Sequence, residues 1–161
     1  MTNITVGISD ARISTDPDAV IITHALGSCI GVTIYDPVRK MGGLLHFQLP
    51  QSKGYENSSP STPFKYADTG FNILLDKLQS LGAHKNRVEV KIAGGAHKLS
   101  TGNDSFNIGK RNYAAIRQTL WKKGMFINAQ DIGGNIPRTV YFSMADGTVT
   151  IKSQGKIVKT I

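Results

Sequence analysis

Short stretches of alternating apolar and polar residues fill most of the chain, and helical spacing appears in only two places. Ile4–Ser9 alternates and reads as a strand, with Ala11–Ile13 continuing it after a bend. Thr15-Asp16-Pro17-Asp18 is a turn, and Ala19–Ala25 is a β-rich run. Ile30, Val32 and Ile34 then alternate with Gly31, Thr33 and Tyr35. Asp36-Pro37 starts a turn, and Gly42-Gly43 leads into Leu44-Leu45-His46-Phe47, so two strands joined by a short connection are predicted. Gln51–Pro63 is rich in Ser, Asn, Gly and Pro, has no hydrophobic period, and reads as a loop. Phe71, Leu74, Leu75 and Leu78 share one helical face, with Asp68 or Thr69 at the cap or in the first turn and Gly82 as the stop. Val88, Val90 and Ile92 predict a strand that ends in the tight turn Ala93-Gly94-Gly95-Ala96. Ser100–Asn112 is a polar loop entering a second helix, with Asn107 in position to cap it. Tyr113, Ile116 and Leu120 form its apolar stripe and Gly124 ends it. Phe126–Ile132 reads as a strand. Arg138–Ser143 and Thr148–Ile151 flank the hairpin signal Asp146-Gly147, and the tail Gln154–Ile161 either adds a short edge strand after Gly155 or frays. Many short strands and about two helices predict a layered α/β sandwich of the α+β class.

Composition narrows this picture. The 161 residues contain no repeat, linker or low-complexity stretch that divides them, so a single domain over residues 1–161 is expected, and 17 glycines suit a turn-rich one. No apolar run approaches the length of a membrane span, and the first residues lack the pattern of a secretory signal. With one cysteine there is no disulfide framework, and a reducing cytoplasm is the expected setting. The net charge of +8 calls for an acidic partner. The basic residues are scattered in pairs such as Arg39-Lys40, Lys110-Arg111 and Lys122-Lys123. There is no long basic run and no interleaving of aromatics, so a solvated mixed surface is favoured over nucleic-acid binding.

The candidate chemistry lies in the hairpin. One turn register sets Cys29 directly opposite His46; the next sets Gly31 opposite His46 and leaves Cys29 diagonal to it. Both put the two side chains on one sheet face, about 5 Å apart when opposed and about 7–8 Å when diagonal. A bulge at Gly42-Gly43 would break that relation. An imidazole beside a thiol can take its proton to give a reactive thiolate, and the imidazolium can then protonate a departing amine. Thr23, near the end of the preceding apolar run, is the candidate group to orient the ring. The turn Gly27-Ser28-Cys29 could aim the N–H groups of Ser28 and Cys29 at a developing oxyanion. Taken singly, Cys29 also reads as a small core hydrophobe and His46 as a packing residue.

The remaining motifs say less. The glycines of Ala93–Ala96 could present backbone to an anion or carboxamide, but no phosphate-loop pattern is present. His24, His84 and His97 have no metal-ligand spacing, and one cysteine cannot build a structural zinc site. Phe106 and Ile108, in a polar setting, are either core anchors or an exposed contact patch.

Five stretches appear in order: LGSCIGVTIYDP at Leu26–Pro37, GGLLHFQLP at Gly42–Pro50, KIAGGAH at Lys91–His97, FNIGKRN at Phe106–Asn112 and DIGGNIPRTVYF at Asp131–Phe142. Over nearly its whole length the chain resembles the CheD family of chemoreceptor glutamine deamidases. The resemblance implies Cys29 as nucleophile, His46 as catalytic histidine and Thr23 as the third member of a triad. It implies a cysteine-hydrolase fold of packed mixed or antiparallel β-sheets with helices outside, and no metal or organic cofactor. It also implies two partners: the cytoplasmic region of a chemoreceptor, whose glutamines or glutamate methyl esters are hydrolysed, and a CheC-type phosphatase. The stretch around Phe106, Asn107 and Ile108 is the expected contact surface. A cysteine peptidase or amidase with the same dyad, and a non-catalytic chemotaxis adaptor, remain the competing readings.

Overall fold

The structure, a computed structural model, describes residues 2–54, 61–97 and 107–161. Among these residues ten strands form: β1 (Thr2–Val6), β2 (Asp10–Ser14), β3 (Ala19–Leu26), β4 (Ile30–Asp36), β5 (Met41–Phe47), β6 (Glu89–Gly94), β7 (Ala129–Ile132), β8 (Arg138–Ser143), β9 (Val149–Ser153) and β10 (Lys156–Thr160). They make two five-stranded sheets, in spatial order β1-β3-β8-β9-β10 and β2-β5-β4-β6-β7. Both sheets are mixed: β1 runs parallel to β3, β6 runs parallel to β7, and the other pairs are antiparallel.

The helices are α1 (Ala67–Ser80) and α2 (Ile108–Lys122). Phe71, Leu74, Leu75 and Leu78 of α1 and Ala115, Ile116 and Leu120 of α2 share a core with Ile30, Val32 and Ile34. Each large side chain so buried contributes roughly 1.5–3 kcal/mol. The opposite face of the second sheet packs on the first: Tyr35 and Leu44 meet Ile21, Leu26, Val140 and Phe142. The layers therefore run sheet, sheet, helices. The α+β sandwich expected from the pattern is present, with both helices on one side. The hairpin β4–β5 is the middle layer, and every one of its strand residues is buried. That explains why LLHF reads as a continuous apolar run, since a strand covered on both faces has no polar side.

Several boundaries differ from expectation, each for a local reason. The first strand stops at Val6 because the chain turns through Gly7–Ser9 to reach the other sheet, with Ser9 at φ 58°. Asn107 holds the N-cap position just before the second helix, but its side chain makes no capping hydrogen bond and its backbone is left-handed, at φ 44°. Tyr113 is only half-buried, and Gly109 and Asn112 share the buried face with Ala115, Ile116 and Leu120 instead. The expected strand Phe126–Ile132 begins only at Ala129. Phe126 is 82% exposed while Met125 enters the core, and Asn128 closes the strand end by accepting the Val90 N–H through its side chain. The loop after β5 is described at both ends: Ser52 donates its N–H and hydroxyl to Asp68 in the first turn of α1, and Pro63–Lys65 form a single 3-10 turn.

Candidate active site

The site lies where the two sheets face each other at one end. In β3 the pairing with β8 runs Thr23↔Val140 and then Leu26↔Arg138, so His24 and Ala25 together oppose Thr139. This bulge, with Ala25 in the left-handed region at φ 61°, leaves Thr23 and Leu26 both buried between the sheets and turns the chain into Gly27-Ser28-Cys29. Ser28 is exposed and Cys29 is half-buried.

In the hairpin, Gly31 pairs with His46. This is the second of the two registers, which leaves Cys29 diagonal to the histidine on the same face. His46 is completely buried, in a strand paired on both edges. Thr23 reaches it from the other sheet, its Oγ1 lying 2.8 Å from His46 Nδ1 and 2.9 Å from the Val6 carbonyl oxygen. A hydroxyl has one proton, and the Val6 carbonyl can only accept, so Thr23 donates to Val6 and accepts from Nδ1–H. The ring tautomer follows: Nδ1 carries the proton and Nε2 is a bare base. Nε2 has no hydrogen bond among the described residues. Gly31 leaves room beside this crossing, since a Cβ there would lie 3.2 Å from a Leu26 methyl group, closer than ordinary contact.

Burial sets the charge state. It pulls the His46 imidazole down to about 4, and it pushes the Cys29 thiol up, offset only in part by the residue's own backbone N–H beside the sulfur. At neutral pH the pair rests as neutral thiol and neutral imidazole. The neutral ring follows from the second sheet, which covers it and removes the water that would support its charge.

The Gly27-Ser28-Cys29 turn is held by all three of its carbonyls. Gly27 O accepts from the Ala96 N–H at 2.8 Å, Cys29 O from the Gly95 N–H at 2.9 Å, and Ser28 O from Asn112 Nδ2 at 2.9 Å. The glycine turn after β6 thus uses its amides to grip the turn, where sequence suggested contact with an anion or carboxamide. Gly94 allows the approach: at φ 118° it has a backbone that side chains rarely adopt, and a Cβ there would collide with the Cys29 carbonyl oxygen. Arg138, buried at the start of β8, ties the sheets together here. Its guanidinium donates to Asp131, Gly94 O and Gly133 O.

Thr23 and His46 are joined by a hydrogen bond, and the register sets Cys29 on the same sheet face, diagonal to His46, while the other expected site residues lie elsewhere. Phe106 lies outside the described residues. Asn107 is exposed and Ile108 half-buried at the start of α2. Ile108 lines a hollow of about 910 Å³ with Leu49, Pro50, Gln51, Lys53 and Arg111, just past the strand that carries His46. His24 is exposed, His84 accepts the Asn86 N–H, and His97 is anchored through its own N–H to Gly134 O. Asn112, Arg138 and Gly31 were missed as parts of the site. Only Asn112 left a signal, as a polar residue on the apolar face of a predicted helix.

Comparison with known proteins gives this geometry its context. The family model described as CheD chemotactic sensory transduction matches residues 48–153, beginning just past His46. Matches to individual proteins span the site as well. A protein of Desulforamulus reducens named "Probable chemoreceptor glutamine deamidase CheD" is 42% identical over 98% of this chain and 95% of its own length. One of Syntrophus aciditrophicus, "Probable chemoreceptor glutamine deamidase CheD 1", is 44% identical over 96% of each. One of Thermococcus kodakarensis, with the same name as the first, is 37% identical over 98% of each. With a family match over most of its length and relatives that cover it nearly end to end, the chain belongs to the CheD family.

Proposed function

We propose that this protein is a chemoreceptor glutamine deamidase in which Cys29 is the nucleophile, His46 carries protons and Thr23 orients His46. The observation that carries the reading is the Thr23–His46 hydrogen bond, which leaves Nε2 bare on the sheet face shared with Cys29. The names of the relatives supply the substrate class.

The reaction is an acyl transfer. The Cys29 sulfur attacks the side-chain carbonyl carbon of a receptor glutamine as His46 Nε2 takes the thiol proton. The tetrahedral oxyanion is met by the N–H groups of Ser28 and Cys29. His46 returns its proton to the amide nitrogen, ammonia leaves, and a thioester remains. Water then attacks the thioester carbonyl, giving a proton to His46. Collapse releases the glutamate side chain and restores the thiol. Because thiol and imidazole both rest neutral, proton transfer belongs to the attack itself and does not precede it.

The hollow lined by Lys53, Arg111 and Ile108 suits an acidic helical surface, and the reading seats the receptor there beside the site, in the cytoplasm. A CheC-type phosphatase would compete for the same FNIGKRN region. Hydrolysis of glutamate methyl esters would use the same residues, with methanol leaving in place of ammonia.

The test is incubation with a chemoreceptor cytoplasmic fragment followed by intact-mass analysis and peptide mapping. Each converted glutamine adds about one mass unit and releases one ammonia in this thiol acyl transfer. Cleavage of the fragment would point to a peptidase, and binding without conversion to an adaptor. In the same assay Thr23→Val, which keeps the bulk but removes the acceptor for Nδ1–H, lowers kcat by at least about 10-fold, because the ring loses the group that fixes its tautomer and orientation.

A further inference from the structure

Asn112 sits on the buried face of α2 with Gly109, Ala115, Ile116 and Leu120, and it is itself completely buried. Helix amphipathicity would place an apolar side chain there. Its Nδ2 instead donates at 2.9 Å to Ser28 O and at 2.9 Å to Gln48 O, while its Oδ1 has no hydrogen-bond partner among the described residues. The unpaired Oδ1 costs stability, so what the residue supplies is its two donated bonds.

The two carbonyls explain the residue. The Ser28 carbonyl and the Cys29 N–H belong to one trans peptide unit, in which C=O and N–H point in opposite directions. Holding that carbonyl toward α2 turns the Cys29 N–H away from α2. The flanking carbonyls, of Gly27 and Cys29, are held by backbone N–H groups. Of the three peptide units in the turn, only the one bearing the Cys29 N–H depends on a side chain. The same nitrogen also holds Gln48 O, just beyond His46, so one carboxamide sets the nucleophile turn against the strand of the imidazole.

We propose that Asn112 is the positioning residue of the oxyanion site: by holding the Ser28 and Gln48 carbonyls together, it aims the Cys29 N–H at the reacting carbonyl oxygen. This rests on the reading of Cys29 as the nucleophile of an amide hydrolase.

The experiment compares wild type, Cys29→Ala, Asn112→Ala and Asn112→Ser by two readouts. The first is kcat and KM for glutamine conversion in a chemoreceptor cytoplasmic fragment. The second is the rate of Cys29 alkylation by iodoacetamide as a function of pH. Displacement at the iodoacetamide carbon forms no oxyanion, and Cys29 is the sole cysteine, so this rate reports the thiol alone. For Asn112→Ala, kcat falls by about 100- to 1,000-fold, as on loss of one oxyanion donor. Asn112→Ser, which keeps one donor, falls in between. In both variants KM stays at the wild-type value, and the alkylation profile moves to higher pH as the N–H leaves the sulfur, a change far smaller than the fall in kcat. An unchanged kcat would overturn the assignment. So would a parallel loss of kcat and alkylation, or the failure of both variants to fold, since either makes Asn112 a packing residue. Failure of wild type to convert glutamine, or conversion by Cys29→Ala, would instead bring down the deamidase reading, and the assignment with it.

Discussion

His46→Gln will lower kcat for receptor glutamine conversion by at least about 1,000-fold, with KM little changed. The side chain is completely buried, so it contributes nothing to docking a protein substrate. What it supplies is one lone pair, on Nε2, kept free because Thr23 holds the other nitrogen. Glutamine can still meet Thr23 but cannot carry a proton between sulfur and nitrogen. The same burial sets the pH dependence. With His46 pulled down to about 4, kcat/KM of wild type stays level through the mildly acidic range and falls only as pH approaches 4. A resting thiolate–imidazolium pair would instead lose activity as its thiolate was protonated. Stability follows the same group. Between the ordinary histidine value of 6.5 and about 4, the unfolded chain binds a proton that the folded chain refuses. The stability His46 contributes is complete above 6.5 and is lost as pH falls toward 4, by at most about 3 kcal/mol. Urea unfolding of wild type and His46→Gln at pH 7 and pH 4.5 isolates that contribution.

Gly94→Ala carries the second large effect, on fold and activity together. The residue sits at φ 118°, and the added methyl would collide with the Cys29 carbonyl oxygen and lie 3.2 Å from Ile30 Cα. Neither neighbour is the end of a flexible side chain, so backbone must move. Relief would push the Gly27-Ser28-Cys29 turn off the Gly95 N–H and disturb Arg138, which donates to Gly94 O. Strain of this kind costs on the order of 1–3 kcal/mol before the lost hydrogen bonds are added. Urea unfolding should show the loss, and kcat should fall about 100-fold or more as the oxyanion donors are displaced. Gly7→Ala, with nothing within 4 Å of the new methyl, is the matched control and should leave activity unchanged.

What sequence could reveal was whatever depends on neighbours along the chain. Alternation with period two predicted the hairpin, and the same period put Cys29 and His46 on one face whichever register formed. The Asp146-Gly147 hairpin and the edge strand after Gly155 were legible for the same reason. Thr23 could be nominated from its place before the turn, but its reach to His46 depends on one sheet lying over the other. Asn112 stands 84 residues from Ser28, and no local pattern states that the two meet. Arg138 looked like the polar start of a strand, and only the packing of the two sheets makes it a buried clamp on Asp131 and Gly94. The protonation state was hidden too, because it is set by how completely the second sheet covers His46.

The most direct measurement compares wild type with Cys29→Ala on one chemoreceptor cytoplasmic fragment, with both proteins confirmed folded and the products mapped by mass. If Cys29 is the nucleophile, wild type raises the mass of particular glutamine peptides by about one unit each and Cys29→Ala converts none. Conversion by Cys29→Ala at a rate near that of wild type would contradict the mechanism outright.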